Sequence, residues 1–126
     1  MASGFLIVDD SSVMRKIITK TIAQAGYDTV KILEAGDGQD ALSVLSKNEV
    51  DLVLCDWNMP KMDGLTFVKT LRGDSNNKNS NIPIIMVTTE GSMGKVEEAL
   101  DGGATDYITK PFTADKLKMK LAKVLK

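Results

Sequence analysis

The chain has 126 residues, 43% of them apolar, which is enough for one hydrophobic core and too little for two large domains, so residues 1–126 are read as a single domain. Sixteen basic residues against seventeen acidic ones leave a net charge of -1, so no global basic field exists to hold nucleic acid or anionic lipid. The longest uninterrupted apolar runs are four residues, far short of the roughly 20 that a membrane helix requires. There is no histidine, which removes histidine nucleophiles, histidine general bases, imidazole metal ligands and self-phosphorylation on imidazole. The single cysteine, Cys55, cannot form an internal disulfide, and the first ten residues show neither a basic start nor a long apolar stretch. A soluble, reduced, cytoplasmic protein is expected.

Short apolar runs alternate with longer amphipathic stretches, the pattern of a parallel sheet covered by helices on both faces, and the predicted class is α/β. The first strand is Phe5 to Val8. The helix after it starts near Ser11 or Ser12 as N-cap, buries Val13, Ile17, Ile18, Thr21, Ile22 and Ala25, and stops at Gly26. A weaker strand spans about Thr29 to Glu34, and a second helix, ending near Asn48, turns Ala41, Leu42, Val44 and Leu45 inward. The third strand, Asp51 to Asp56, is apolar until its final aspartate, and a third helix from about Leu65 to Arg72 faces in with Phe67, Val68 and Leu71. Residues 73–81 contain no apolar residue and read as an exposed connection. Strand four covers Ile82 to Val87, helix four roughly Met93 to Leu100, and strand five Asp106 to Thr109. The last helix follows Lys110-Pro111, with Leu117, Leu121, Val124 and Leu125 as its apolar stripe and a lysine-rich face mostly off it.

Three carboxylates stand at strand ends. Asp9 and Asp10 follow the first strand and Asp56 closes the third, so all lie at the carboxyl edge, where parallel sheets bind ligands. In strand order 2-1-3-4-5 the first and third strands are neighbours and the three side chains converge. Like charges at about 4 Å repel by on the order of 4 kcal/mol at an effective dielectric near 20, a cost that a divalent cation removes. With oxygen ligands only, Mg²⁺ suits the set better than Zn²⁺. Read one at a time, the same aspartates are ordinary polar strand ends or helix caps. Thr88 and Thr89 after strand four and Lys110 after strand five face the same crevice and add donors and positive charge suited to a phosphoryl group. Asp56 is then its acceptor, by in-line attack on phosphorus, and the product is an aspartyl phosphate.

The segments Val8-Asp9-Asp10-Ser11, Asp56 through Gly64, Met86-Val87-Thr88 and Lys110-Pro111-Phe112 resemble the response-regulator receiver domains of two-component signalling, over essentially the whole chain. The resemblance implies a three-layer doubly wound (βα)5 flavodoxin-like sandwich with a parallel five-stranded sheet in order 2-1-3-4-5. It implies that Asp9, Asp10, Asp56 and the main-chain carbonyl of Asn58 bind Mg²⁺. By the same token Asp56 accepts phosphate from a kinase phosphohistidine, with Thr88 and Lys110 contacting the phosphoryl group, and Lys110-Pro111 is a cis peptide. Asn58 and Glu90 match positions that tune dephosphorylation, Tyr107 matches a rotating aromatic that turns inward with Thr88, and Lys120 matches a partner-contacting position. Such a chain is a phosphoacceptor signalling protein that assists its own phosphorylation and dephosphorylation, not an enzyme in the ordinary sense.

Within the family the sequence is most similar to stand-alone chemotaxis regulators. The implied partners are a chemotaxis histidine kinase (CheA-like), the flagellar motor switch protein and a phosphatase, with no nucleic acid, no membrane and a monomeric state; with helix five ending at Lys126, no fused DNA-binding output is expected. The alternative is a phosphorelay intermediate that passes phosphate from Asp56 to a histidine on another protein. A metal-dependent phosphatase wants a second aspartate where Asn58 stands, and in a flavin-binding protein Asp9 and Asp10 would repel the cofactor phosphate. Gly91-Ser92-Met93-Gly94 replaces a lysine-bearing start of helix four, and Thr89 replaces a smaller residue. Trp57 is either a reporter of the site or plain packing, and Cys55, alternating away from Asp56, is expected to be inert core.

Overall fold

Each short apolar run forms a parallel strand in the computed structural model, which describes residues 4–89 and 93–125. The strands are β1 (Phe5–Val8), β2 (Ile32–Ala35), β3 (Leu52–Asp56), β4 (Ile84–Thr88) and β5 (Asp106–Thr109), in the order β2-β1-β3-β4-β5. The helices are α1 (Ser12–Ile22), α2 (Gly38–Lys47), α3 (Gly64–Arg72), α4 (Met93–Asp101) and α5 (Ala114–Val124). Alternate strand residues point to opposite faces, so the sheet is buried on both sides. Leu6, Val8, Val53, Cys55, Ile84 and Met86 meet Ala41, Leu45, Phe67, Val68 and Leu71 from α2 and α3 on one side. Phe5, Ile7, Leu52, Leu54, Ile85, Val87 and Ile108 meet Ile18 and Ile22 of α1 and Leu117 and Leu121 of α5 on the other. The result is the expected three-layer doubly wound sandwich. None of the described helices is long and apolar enough to cross a membrane.

Helix starts follow their caps. The side chains of Ser11, Asp37, Asp63 and Thr113 accept hydrogen bonds from the backbone N–H groups of Met14, Asp40, Thr66 and Lys116, which satisfies donors that the first helical turn leaves unpaired. A wider turn over Ala23–Tyr27 prolongs α1, and the chain leaves it through Gly26, whose φ of 102° is disfavoured for a residue with a Cβ.

Four expectations are corrected. Val13 and Ile17 are not core: they are 65% and 52% exposed, while Ile18, Ile22 and Ala25 make the buried stripe of the same helix. The second strand begins later than its apolar residues suggested, at Ile32, and the fourth begins at Ile84, because Ile82 and Pro83 still belong to the approach. The connection 73–81 is not uniformly exposed. Asn79 is buried within it, donating from Nδ2 to the carbonyls of Leu45 at 2.7 Å and Asn48 at 2.8 Å and accepting from the N–H of Val50 at 3.2 Å. Arg72 clamps the other end of the connection, donating to the carbonyls of Ser80, Ile82 and Gly103 at 2.9, 2.7 and 2.9 Å. Both residues satisfy main-chain groups that no strand or helix ladder reaches.

Parallel register is what assembles the site. Val8 pairs with Cys55, so Asp9 and Asp56 are the next residues of adjacent strands, and Asp56 in turn pairs with Val87, just before Thr88. Thr88 pairs with Thr109, just before Lys110. Residues from four strands therefore reach one edge of the sheet.

Candidate functional site

Asp9 is buried, and its Oδ1 accepts from the N–H of Ser11 at 2.9 Å, which turns the carboxylate across the β1–α1 junction. Asp10 is exposed. Asp56 is held by the N–H of Trp57, which donates to its Oδ1 at 2.9 Å. One carboxylate oxygen from each of Asp9, Asp10 and Asp56 lies within 4.8 Å of the others. Lys110 reaches into this group with its Nζ 3.4 Å from Asp9 Oδ2 and 3.4 Å from Asp56 Oδ1. Close approach is possible here because Gly64 lies against the end of β3: a Cβ at that position would collide with the carbonyl oxygen of Asp56.

Burial raises the Asp56 carboxyl above its usual range; Lys110 and the Trp57 N–H pull it back and the Asp9 charge pushes it further up. Among the described residues the Lys110 ammonium pairs with two of the three carboxylates, which leaves an excess of negative charge. The donor set is all oxygen and hard, and Asp10 is open to solvent, which suits a small divalent cation that keeps several waters; Mg²⁺ fits these residues.

The other expected residues sort as follows. Thr88 is buried at the end of β4, its carbonyl accepts from the N–H of Lys110 at 2.8 Å, and the Lys110-Pro111 bond is cis as expected. Tyr107 is half-buried on β5, with Lys120 Nζ 4.8 Å from its ring centroid. The same Lys120 pairs with Asp106 Oδ1 at 3.0 Å. Asn58 is exposed two residues past Asp56, and Glu90 lies outside the described residues, as do Gly91 and Ser92. Trp57 is buried and packs in the core, with Lys95 Nζ 4.9 Å from its ring centroid, so its position beside Asp56 and its packing are the same fact. Cys55 is fully buried, and that burial, reinforced by the Asp56 charge, raises its thiol well above the ordinary range; it is an inert core residue.

Two features escaped the sequence. Arg15, one turn into α1, donates from Nη1 to the carbonyl of Asp9 at 2.6 Å and from Nε to Glu34 at 2.8 Å. An apolar groove of about 430 Å³ runs beside the site, lined by Met14, Ile17, Ile18, Thr21, Thr89, Lys110, Pro111 and Phe112. The apolar excess on α1 is the available signal for the groove, since Ile17, which lines it, has no place in the core.

Residues 5–122 match the family model described as the response regulator receiver domain. The chain is 50% identical over 121 residues to a chemotaxis protein CheY homolog of Campylobacter jejuni, covering 95% of this chain and 90% of that protein. Its structure superposes on the chemotaxis response regulator CheY4 of Vibrio cholerae with a TM-score of 0.85 at 38% identity, covering 99% of this chain and all of the other (100%). A receiver domain of a Pseudomonas aeruginosa sensor histidine kinase, crystallised with a magnesium ion coordinated in its active site cleft, matches with a TM-score of 0.83 at 26% identity, covering 99% and 98%. Sequence, register and site agree, and the chain belongs to the response regulator receiver domain family.

Proposed function

We propose that this protein is a cytoplasmic chemotaxis response regulator, phosphorylated on Asp56 by a histidine kinase in a Mg²⁺-dependent reaction and then binding the flagellar motor switch. The observation that carries the reading is the convergence of Asp9, Asp10 and Asp56 with the Lys110 ammonium at 3.4 Å from two of them. The CheY homologues at 50% identity supply the chemotaxis context, and the magnesium reported in the Pseudomonas receiver domain supports the ion.

Asp9, Asp10, Asp56 and the main-chain carbonyl of Asn58 would hold the ion, which would neutralise charge on the phosphoryl oxygens and bring them to the acceptor. Asp56 is oriented for attack, with Oδ1 occupied by the Trp57 N–H and facing Lys110, so the ionised carboxylate attacks phosphorus through Oδ2. The new O–P bond forms as the P–N bond of the donor phosphohistidine breaks, and the imidazole leaves with the donor. Lys110 and the Thr88 hydroxyl offset charge on the equatorial oxygens. Asn58 and Glu90 then tune attack by water. The chain has no histidine of its own, so the donor is another protein or a small phosphodonor. The apolar groove shares Lys110 with the acceptor site, and a donor helix seated there would place its phosphohistidine beside Asp56. Phosphorylation would draw Thr88 inward and turn Tyr107 with it, remodelling the face of α4, β5 and α5 that carries Lys120.

Acetyl phosphate with Mg²⁺ should label the wild type at one phosphate per chain and leave Asp56→Asn unlabelled; full labelling of the variant would refute the acceptor. Beryllofluoride should strengthen capture of the motor switch protein. Unchanged capture together with phosphate transfer to a partner histidine would establish the relay reading instead.

A further inference from the structure

We infer that Arg15, anchored by Glu34, is a positioning residue for the metal-binding doublet; the inference rests on the Mg²⁺ reading above and assigns a function to two residues outside it. The carbonyl of Asp9 lies beyond the last paired position of β1, whose final contact with β2 is the hydrogen bond from the N–H of Asp9 to the carbonyl of Ala35. It also precedes the first carbonyl of the helical ladder, that of Ser11, which accepts from the N–H of Arg15. The peptide joining Asp9 to Asp10 is thus held by neither element. Arg15 reaches back from α1 and donates from Nη1 to that carbonyl at 2.6 Å. Asp9 has its own supports in Ser11 and Lys110, whereas Asp10 is exposed, so the backbone that carries Asp10 is what aims it.

Glu34, on β2, fixes the guanidinium by accepting from Nε at 2.8 Å. A guanidinium set down beside three carboxylates has better acceptors than a peptide carbonyl, and the pair with Glu34 keeps it directed at the backbone instead. The fork geometry matters: Nε serves Glu34 while Nη1 serves Asp9, which a lysine cannot do with one nitrogen. Groups one step behind metal ligands commonly change ion affinity by roughly 10- to 100-fold when removed.

Charge alone and positioning predict opposite signs. Removing a cation from beside an acidic cluster should tighten a divalent ion by Coulomb attraction, whereas losing the brace on Asp10 should loosen it. The test is Mg²⁺ titration by calorimetry, with Trp57 fluorescence as a second readout, on the wild type, Arg15→Ala, Glu34→Gln and the double variant. Arg15→Ala is expected to weaken Mg²⁺ roughly tenfold, and Glu34→Gln to weaken it less but in the same direction. The Glu34→Gln effect should vanish when Arg15 is already alanine. Tighter or unchanged binding by Arg15→Ala overturns the inference, as does a Glu34→Gln loss that persists in the double variant, since that is simple charge. If Arg15→Ala does not fold, the exposed Glu34→Gln together with Arg15→Lys, which should also bind Mg²⁺ more weakly, carries the test, and wild-type affinity in both overturns the inference. A wild type that takes up no Mg²⁺ would sink the metal reading itself, a result distinct from equal binding by all variants.

Discussion

Replacing Asp56 by asparagine should make the protein more stable while abolishing its chemistry. At the 4.8 Å limit of the carboxylate cluster, Asp56 repels Asp9 and Asp10 by about 3.5 kcal/mol each at an effective dielectric near 20, and Lys110 at 3.4 Å returns about 5 kcal/mol. Solvent at exposed Asp10 screens its share, so the charges roughly offset one another and the burial of an ionised carboxylate decides the sign; Asp56→Asn is expected to gain about 1 kcal/mol at neutral pH without Mg²⁺. The pH dependence has a definite sign. Burial raises the Asp56 carboxyl in the folded protein, so this group's contribution to wild-type stability is complete below the ordinary carboxylate pKa and is lost as pH rises through the elevated one. The advantage of the variant should therefore appear at neutral pH and shrink on acidification. Urea unfolding at neutral and acidic pH, with and without saturating Mg²⁺, measures it, and the ion should erase the difference by stabilising the wild type. An Asp56→Asn protein that is no more stable than wild type at neutral pH would refute the electrostatic account of the site.

Two further substitutions probe the site from either side. Lys110→Ala removes the ammonium that pairs with Asp9 and Asp56; labelling by acetyl phosphate should fall roughly a hundredfold while Mg²⁺ binds more tightly, and calorimetry beside a labelling time course separates the two effects. Ile17→Asp puts a charge on the rim of the apolar groove at an exposed position; phosphotransfer from the cognate kinase should drop about tenfold, as for a lost contact of 1.4 kcal/mol, with labelling by acetyl phosphate unchanged. Equal losses with both donors would show that the groove affects the acceptor and not the donor's seat.

The strands and the acidic edge were legible because both are written locally. A four-residue apolar run ending in aspartate fixes a strand and the edge its carboxylate occupies, and parallel register then brings Asp9 and Asp56 together without further instruction. What the sequence hid depends on where distant chain segments arrive. Helix α1 has two apolar stripes side by side, Val13 with Ile17 and Ile18 with Ile22, and periodicity reports their combined width without saying which edge meets the sheet. The groove takes one residue from each stripe, Ile17 and Ile18, and leaves Val13 outside it. Asn79 and Arg72 look like ordinary loop and helix-end polar residues, since their partners are carbonyls from other parts of the chain. Arg15 is hidden for the same reason: its meaning lies in one carbonyl and in Glu34, 19 residues away.

Lys110 connects the acceptor to the rest of the molecule energetically. Its ammonium is shared between Asp9 and Asp56 at equal distances, and its backbone is bonded to Thr88, which pairs with Thr109 on β5, the strand that carries Tyr107. On the proposed reading, phosphorylation replaces the single charge of the Asp56 carboxylate by the roughly -1.5 to -2 of an acyl phosphate, carried further out on the phosphoryl oxygens, and Lys110 is expected to leave part of its interaction with Asp9 and follow them. One such pair at 3.4 Å is worth about 5 kcal/mol at an effective dielectric near 20, and moving a two-state equilibrium from 1:99 to 99:1 takes about 5.5 kcal/mol. Because only part of that pair is given up and new pairs with the phosphoryl oxygens offset it, the redistribution of a single ammonium supplies a fraction of a complete switch. Against it stands the contact of Lys120 with the Tyr107 ring, worth roughly 0.5 to 2 kcal/mol, and Lys120 keeps Asp106 as a partner when the ring turns away. On the proposed reading, phosphorylation of Asp56 is expected to move the Tyr107 ring against this contact.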